Sequence, residues 1–235
     1  ISRGLVGSEM CIRDRHKLVS GVAAAKAMPY QLMAAARALD SRAPAAIREA
    51  LHRAMEIAVG NAPRIEGRVV VCPDVSGSMS WPVTGYRRGA STAVRCVDVA
   101  AVVASTYLRR SQMARVLPFD TKVHRPKLLA ENQILTNARL LAAYGGGGTD
   151  CTAPLRWMNA RKVVADLVVY VSDNESWSHE VRPTGTAMMA QWAKFKRRNP
   201  SAKLVCLDIA PYGTTQAASS PDVLNIGGFS DTVFE

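Results

Sequence analysis

A cluster of oxygen-bearing side chains directly follows a run of β-branched residues in this chain. Asp74, Ser76 and Ser78 occupy alternate positions of one short segment, so they offer a carboxylate and two hydroxyls on a single tight loop. Hard oxygen ligands on a short loop suit Mg²⁺, which requires octahedral geometry at short distances. The segment therefore predicts a site for a divalent cation.

Two later segments could complete such a site. The glycine run Gly145–Gly148 comes directly before Thr149, and glycines let one stretch of backbone approach another closely. Asp173 follows the apolar run Asp166–Val171, which has the composition of a strand buried on both faces. The glycine run could instead cradle a phosphate, but it lacks the lysine and the spacing of the common phosphate-binding loops.

The elements that must position these side chains alternate between strands and helices from Gly67 onward. This alternation predicts an α/β fold with a doubly wound, mostly parallel sheet. Ligands of such sheets gather at the carboxyl ends of the strands, where the strand order reverses. The predicted strands are Arg68–Cys72, Val116–Phe119, Asp166–Val171, Lys203–Ile209 and Val223–Ile226, with a possible edge strand at Lys122 and Val123. The predicted helices are Ser91–Arg110, Asn132–Ala143, Pro154–Lys162 and Thr186–Arg198, with a last one capped by Ser230.

The segment before the sheet is helical. Pro29 and Pro44 each suit the first turn of a helix, and apolar residues recur at helical spacing after both prolines. Residues 16–65 are either the end of a longer helical array or a helical extension of the following domain, and the pattern leaves both readings open. Residues 1–15 show no helical or strand period and resemble sequencing-adapter read-through, so we expect them to be non-native and leave them out of the fold prediction.

The cation-site segments resemble the metal-ion-dependent adhesion site of von Willebrand factor A domains. The matching segments read DVSGSMS, GGGGTD and VVYVSD. The resemblance implies that Mg²⁺ or Mn²⁺ is bound, with the sixth position left to water or to an acidic ligand from a partner. The implied ligands are Asp74, Ser76, Ser78, Thr149 and Asp173.

A wider set of segments resembles the Ro ribonucleoproteins, or TROVE family. They include MPYQLMAAARAL, ALHRAMEIAVGNAP, GRVVVCPDVSGSMSWP, GGTDCTAPL and NIGGFSD. In that family a ring of helical repeats precedes the A domain and binds small Y RNAs and the ends of misfolded RNAs. The resemblance implies that residues 16–65 are a remnant of the ring and that residues 66–235 form the A domain. One departure is Pro73, which cannot donate to a sheet ladder and should end its strand one residue early.

The charge also favours a polyanionic partner. The chain has 30 Lys and Arg residues against 19 Asp and Glu, a net charge of +11. Arg87 and Arg88 follow the cation-site loop, and a denser basic run has aromatic residues interleaved. That second run reads either as a phosphate-contacting patch or as a solvated helix end, where cations are favoured. Its candidate RNA contacts are Lys194, Lys196, Arg197 and Arg198.

Several function classes are disfavoured by the pattern. No apolar run reaches the roughly 18 residues of a membrane helix, and five widely spaced cysteines fit a reduced compartment, so we expect a cytoplasmic protein. No nucleophile, base and orienting group occur in a recognisable motif, and a metal-assisted hydrolase would need a base near the hydroxyl ligands. The sequence therefore predicts a non-enzymatic RNA-binding protein, with a metal-dependent protein-interaction module without RNA as the alternative.

Overall fold

Five parallel strands form one sheet in the computed structural model, which describes residues 16–39, 42–83, 94–173, 184–210 and 217–228. The strand order is β2-β1-β3-β4-β5, so the chain first adds a strand on one side of β1 and then crosses to the other side. This reversal lies between β1 and β3. The strands are β1 (Arg68–Pro73), β2 (Met113–Val116), β3 (Leu167–Ser172), β4 (Lys203–Asp208) and β5 (Val223–Gly227).

Helices cover both faces of the sheet, because alternate strand residues point to opposite faces. Val69 and Val71 of β1 join the apolar cluster on one face, whereas Val70 and Cys72 join the cluster on the other. The α/β prediction with a parallel, doubly wound sheet is therefore confirmed. The helices are α1 (16–24), α2 (Pro29–Ala38), α3 (Ala45–Ala58), α4 (Cys96–Arg110), α5 (Ile134–Ala142), α6 (Ala153–Ala160) and α7 (Thr184–Lys196).

The N-terminal helices α1 to α3 pack on the domain through α4 and α5. Buried side chains such as Met33 and Met55 belong to the same apolar cluster as the inner face of α4. Two ion pairs reinforce this contact: Arg37 binds Asp98 at 2.7 Å, and Glu56 binds Arg109. The helical segment is therefore fixed to the sheet domain by a shared core as well as by charge.

Asp98 shows how α4 begins. Arg95 is extended, and its backbone N–H and guanidinium both donate to the Asp98 carboxylate, which closes a capping box. The helix thus starts at Cys96, later than the predicted start at Ser91, and residues 91–93 lie outside the described part. Asp98 is fully buried within this capping network.

All five predicted strands differ from the observed ones by at least one residue at an end, and two of these differences have a clear structural reason. β2 begins at Met113 and ends at Val116, whereas the apolar run had suggested Val116–Phe119. The strand starts earlier because its pairing with β1 begins at Met113, opposite Arg68. β1 includes Pro73, although an early end was expected. The carbonyl of Pro73 accepts the N–H of Phe119 at 3.0 Å, so losing one donor does not end the strand. Val123 forms only an isolated bridge with Phe119, and the predicted cap at Ser230 lies outside the described residues.

None of the helices in the described ranges has both the length and the apolar character needed to cross a bilayer. The cysteines of the described part are all free thiols in buried positions: Cys72, Cys96, Cys151 and Cys206.

Candidate metal centre

The candidate metal centre lies where the strand order reverses. Asp74 directly follows β1 and Asp173 directly follows β3, and these two strands are hydrogen-bonded neighbours. Because both strands run in the same direction, the two aspartates leave the sheet at the same edge. The crevice at such a reversal is the usual ligand position of an open parallel sheet.

Asp74 is fully buried and held by short hydrogen bonds. Its Oδ1 accepts the N–H of Ser76 at 2.8 Å, and its Oδ2 accepts the hydroxyl of Ser172 at 2.7 Å. Burial, with a smaller contribution from the charge of Asp173, raises the pKa of Asp74 to about 7 despite these bonds. A cation beside the carboxylate would act in the opposite direction, since an opposite charge favours the ionised form.

The two serine hydroxyls lie side by side next to this carboxylate. The Oγ atoms of Ser76 and Ser78 are 3.3 Å apart, on a loop that turns through a short 3₁₀ helix, Gly77–Ser80. Adjacent ligands of an octahedral Mg²⁺ are about 3 Å apart, given its bond lengths of roughly 2.0–2.1 Å. The separation of the hydroxyl pair is therefore within about 0.4 Å of the spacing of two neighbouring Mg²⁺ ligands.

The glycine run meets this loop directly. The N–H of Gly77 donates to the carbonyl of Gly147 at 3.0 Å, which brings the segment before Thr149 against the serine loop. Thr149 itself is buried. All five predicted ligands thus belong to loops at the same edge of the sheet, and the donor set of hydroxyls and carboxylates fits a hard divalent cation.

Asp120 is a neighbour of this site that the sequence analysis missed. It follows the β2 segment, as Asp74 follows β1, and this shared position after a strand was the available signal. Its Oδ1 accepts the N–H of Lys122 at 3.0 Å and lies 2.9 Å from His124 Nε2. Its carboxylate packs directly against Gly147. Asp120 therefore packs against the same glycine that hydrogen-bonds to the serine loop.

A conventional metal cluster is not found in the part of the chain that the structure describes, where no three His, Cys, Asp or Glu side chains lie together. A cation at the centre would instead depend on two aspartates and three hydroxyls. Asp150, the aspartate after Thr149, has another role: it accepts bonds from Thr152 and pairs with Arg156.

The predicted RNA contacts are in different situations. Arg87 and Arg88 lie outside the described residues. Lys194 is exposed on α7, and Arg197 and Arg198 are exposed just past the end of that helix. Lys196 instead lies 3.2 Å from the Asp222 carboxylate. The interleaved aromatics Trp192 and Phe195 are buried and stack on each other, so they are not available to nucleotide bases.

Comparisons with known proteins agree with this architecture. The chain is 28% identical to the RNA-binding protein RO60 of Deinococcus radiodurans over 77% of its own length and 33% of that protein. It is 24% identical to the protein of the same name from Caenorhabditis elegans, over 79% of the chain and 28% of the relative. The chain thus spans about a third of the length of these curated relatives.

A solved structure has the same fold. The crystal structure of the Deinococcus radiodurans RO (RSR) protein superposes with a TM-score of 0.75 and 19% identity, over 94% of this chain and 46% of that one. The superposition extends over the N-terminal helices as well as the sheet domain, given its coverage. The family model described as the Ro60 vWA domain matches residues 68–235, and the chain therefore belongs to the Ro60 von Willebrand factor A domain family.

Proposed function

We propose that this chain is part of a Ro-type RNA-binding protein whose A domain binds Mg²⁺, or Mn²⁺, and uses it to recruit a partner. The observation that carries the metal part is the hydroxyl pair of Ser76 and Ser78, 3.3 Å apart beside the buried Asp74 carboxylate. The RNA part is supported by the family membership and by the names of the relatives.

The cation would be held by Asp74, Ser76, Ser78, Thr149 and Asp173. When bound, it supplies positive charge and an open coordination position at the sheet edge. Ser172 and the backbone of Ser76 orient the Asp74 carboxylate, and the Gly77–Gly147 hydrogen bond keeps the two loops in register. The open position would accept water or a carboxylate from a partner protein. This proposal assigns no reaction to the chain and treats it as a non-enzymatic protein.

The RNA partners proposed for the whole protein are small noncoding RNAs of the Y RNA type and misfolded RNAs. The net charge of +11 favours such partners, because each neutralised phosphate releases counterions. The helices α1 to α3 share a core with the A domain, as expected if an RNA-binding helical module continues into it. We propose that the protein acts in the cytoplasm, without a membrane partner.

A second candidate is a metal-dependent protein-interaction domain that binds no RNA. One observation favours it: Trp192 and Phe195 are buried, so the basic run around Lys196 offers no aromatic surface for bases. The first candidate predicts that the chain binds RNA, and that it still does so when the metal is removed. The second candidate predicts that the chain binds no RNA.

Calorimetric titration with Mn²⁺ tests the metal part. Ser78→Ala removes a proposed ligand, whereas Ser80→Ala removes a hydroxyl of the same loop that only donates to the Gly77 carbonyl at 2.7 Å. We expect Ser78→Ala to weaken Mn²⁺ binding by about tenfold or more, and Ser80→Ala to leave it within about twofold. Equal affinities for the wild type and Ser78→Ala would refute the assignment.

An RNA-binding titration of the same proteins, with and without EDTA, separates the two candidates. Binding of a small structured RNA that persists in EDTA supports the first. If the chain binds Mn²⁺ but no RNA, even at low salt, the second candidate is supported.

A further inference from the structure

The opposite end of the sheet from the metal centre carries a groove with a different chemistry. Its cavity volume is about 470 Å³, and it lies along the beginning of β1 and β2. We name it the Arg115 groove, after one of the side chains that line it. The lining residues that matter here are Arg68, Met113, Arg115, Trp157, Arg161 and Val164.

Most of the positive charge in this region is uncompensated. Arg68 pairs with Asp166 at 3.0 Å, but Arg115 and Arg161 have no carboxylate partner among the described residues. Arg125, whose guanidinium lies 5.1 Å from the centre of the Trp157 ring, likewise lacks one. An anionic ligand could bind these arginines without first breaking an ion pair.

Trp157 is half-buried, and the guanidiniums of Arg125 and Arg161 lie over its ring, so the groove presents an indole stacked with cations. The guanidinium of Arg161 lies 4.4 Å from the centre of the indole ring, which keeps it beside the groove while its N–H groups stay free to donate. Arg115 projects from the exposed side of β2, next to Met113, which is 57% exposed. Guanidinium groups and an indole together can contact both parts of a nucleotide, the phosphate and the base.

A second cavity continues this surface and favours a polymer over a single nucleotide. It shares Met113 with the Arg115 groove, has a volume of about 740 Å³, and includes Arg64 and Arg110 in its lining. Glu66 and Glu131 also line it, so its charge is mixed. A flexible chain of nucleotides could follow this path from one cavity to the next.

The distribution of acidic groups argues in the same direction. Asp74, Asp120, Asp173 and Asp208 follow or end the four strands β1 to β4, so carboxylates concentrate at the carboxyl edge of the sheet. Among the described residues, unpaired arginines thus lie at the amino end and carboxylates at the carboxyl edge, a distribution that favours a polyanion at the amino end.

We propose that the Arg115 groove binds single-stranded RNA, with Arg115 and Arg161 contacting phosphates and a base packing on the stacked pair of Trp157 and Arg161. This inference rests on the proposed RNA binding of the protein but not on the proposed metal. An acidic peptide could satisfy the arginines, but it has no base to place on the indole, so RNA fits the groove better.

Fluorescence anisotropy with a labelled single-stranded RNA of about 12 nucleotides tests this surface. The titrations are run in EDTA, which removes the metal centre from the measurement. The test variant is Arg115→Glu with Arg161→Glu. The control is Lys194→Glu with Arg197→Glu, an equal change of charge at two of the other candidate RNA contacts, so the two surfaces are compared directly.

We expect the groove variant to bind about tenfold more weakly than the control at about 50 mM salt, and the slope of log affinity against log salt to fall by about 1.4 for two lost phosphate contacts. Trp157→Leu should weaken binding with no change in that slope, and thermal melts check that each variant is folded. Equal losses in the groove and control variants would overturn the inference while leaving RNA binding of the chain intact.

Two further outcomes would also overturn it. If poly-glutamate competed as effectively as unlabelled RNA, the surface would recognise negative charge and not the bases of RNA. No RNA binding by the wild-type chain would remove the groove as an RNA site, whereas the metal centre is decided separately by the Mn²⁺ titration.

Discussion

The close approach of Gly147 to Asp120 gives a prediction with a built-in control. A Cβ added at Gly147 would lie 2.7 Å from the Asp120 Oδ2 and 3.0 Å from its Cγ, whereas a Cβ at Gly148 would find its nearest atom, a methyl carbon of Thr121, at 3.9 Å. Neither glycine has the positive φ that disfavours other residues, so the two alanine variants differ chiefly in this contact.

The magnitude follows from how far the neighbours must move. Restoring an ordinary contact requires a shift of about 0.7 Å, and Asp120 is buried and anchored by Lys122. Overpacking of this kind costs about 1–3 kcal/mol, which in a chain of this size lowers Tm by about 3–10 °C. Gly148→Ala should change Tm by no more than about 2 °C.

The same displacement reaches the metal centre, because the Gly147 carbonyl accepts the N–H of Gly77 between the two serines. Thermal melts with and without saturating Mn²⁺ measure this coupling, since a ligand that binds the folded state raises Tm. Gly147→Ala should gain less from Mn²⁺ than Gly148→Ala does. Identical melting of the two variants without metal would refute the close packing of the glycine run on Asp120.

Three other predictions concern buried groups. Asp98→Ala should reduce the free energy of unfolding by about 2–4 kcal/mol, because Asp98 caps α4 and binds two arginines. Asp166→Ala, which removes a half-exposed ion pair, should reduce it by about 1 kcal/mol or less, and urea denaturation of both variants measures the difference. The pKa of Asp74 is raised from 3.8 to about 7, so without metal its contribution to stability should decline as pH rises from 4 to 7; pH-dependent melts in which Asp74→Asn keeps the same slope would contradict this. Thiol titration without reductant should find five reactive cysteines after denaturation, and very slow reaction of the buried Cys72, Cys96, Cys151 and Cys206 before it; a protected pair after denaturation would count against this.

The sequence predicted the elements whose patterns are local. Proline starts and helical spacing located α2 and α3, and β-branched or apolar runs located β1, β3 and β4. β2 was misplaced because its four residues, Met113–Val116, alternate between exposed and half-buried positions and contain an arginine, so they form no apolar run. Pairing with β1, which is nonlocal, decides that strand.

Nonlocal contacts also decide where particular side chains lie. Asp98 is buried because Arg37, far away in sequence, reaches it from α2, and nothing in the sequence near Asp98 indicates this partner. Trp192 and Phe195 lie three residues apart, and with Met188 they form a helical stripe that packs into the core, although basic residues surround them. The helical period was the better guide there than the local charge.

The parallel sheet itself explains why two different ligands are proposed at its two ends. All five strands run in one direction, so each loop that follows a strand reaches the same edge, and the aspartates that end these strands accumulate where Asp74 and Asp173 can share a cation. The residues that start β1 and β2 are left at the other end, and there Arg68 and Arg115 frame a groove with Trp157. Because charges more than about 10 Å apart in solvent are largely screened at 0.1 M salt, the two ends can bind a cation and a polyanion with little mutual interference. If both proposals hold, the chain would bind RNA at one end while a metal at the other end would stay open to a carboxylate from a protein partner.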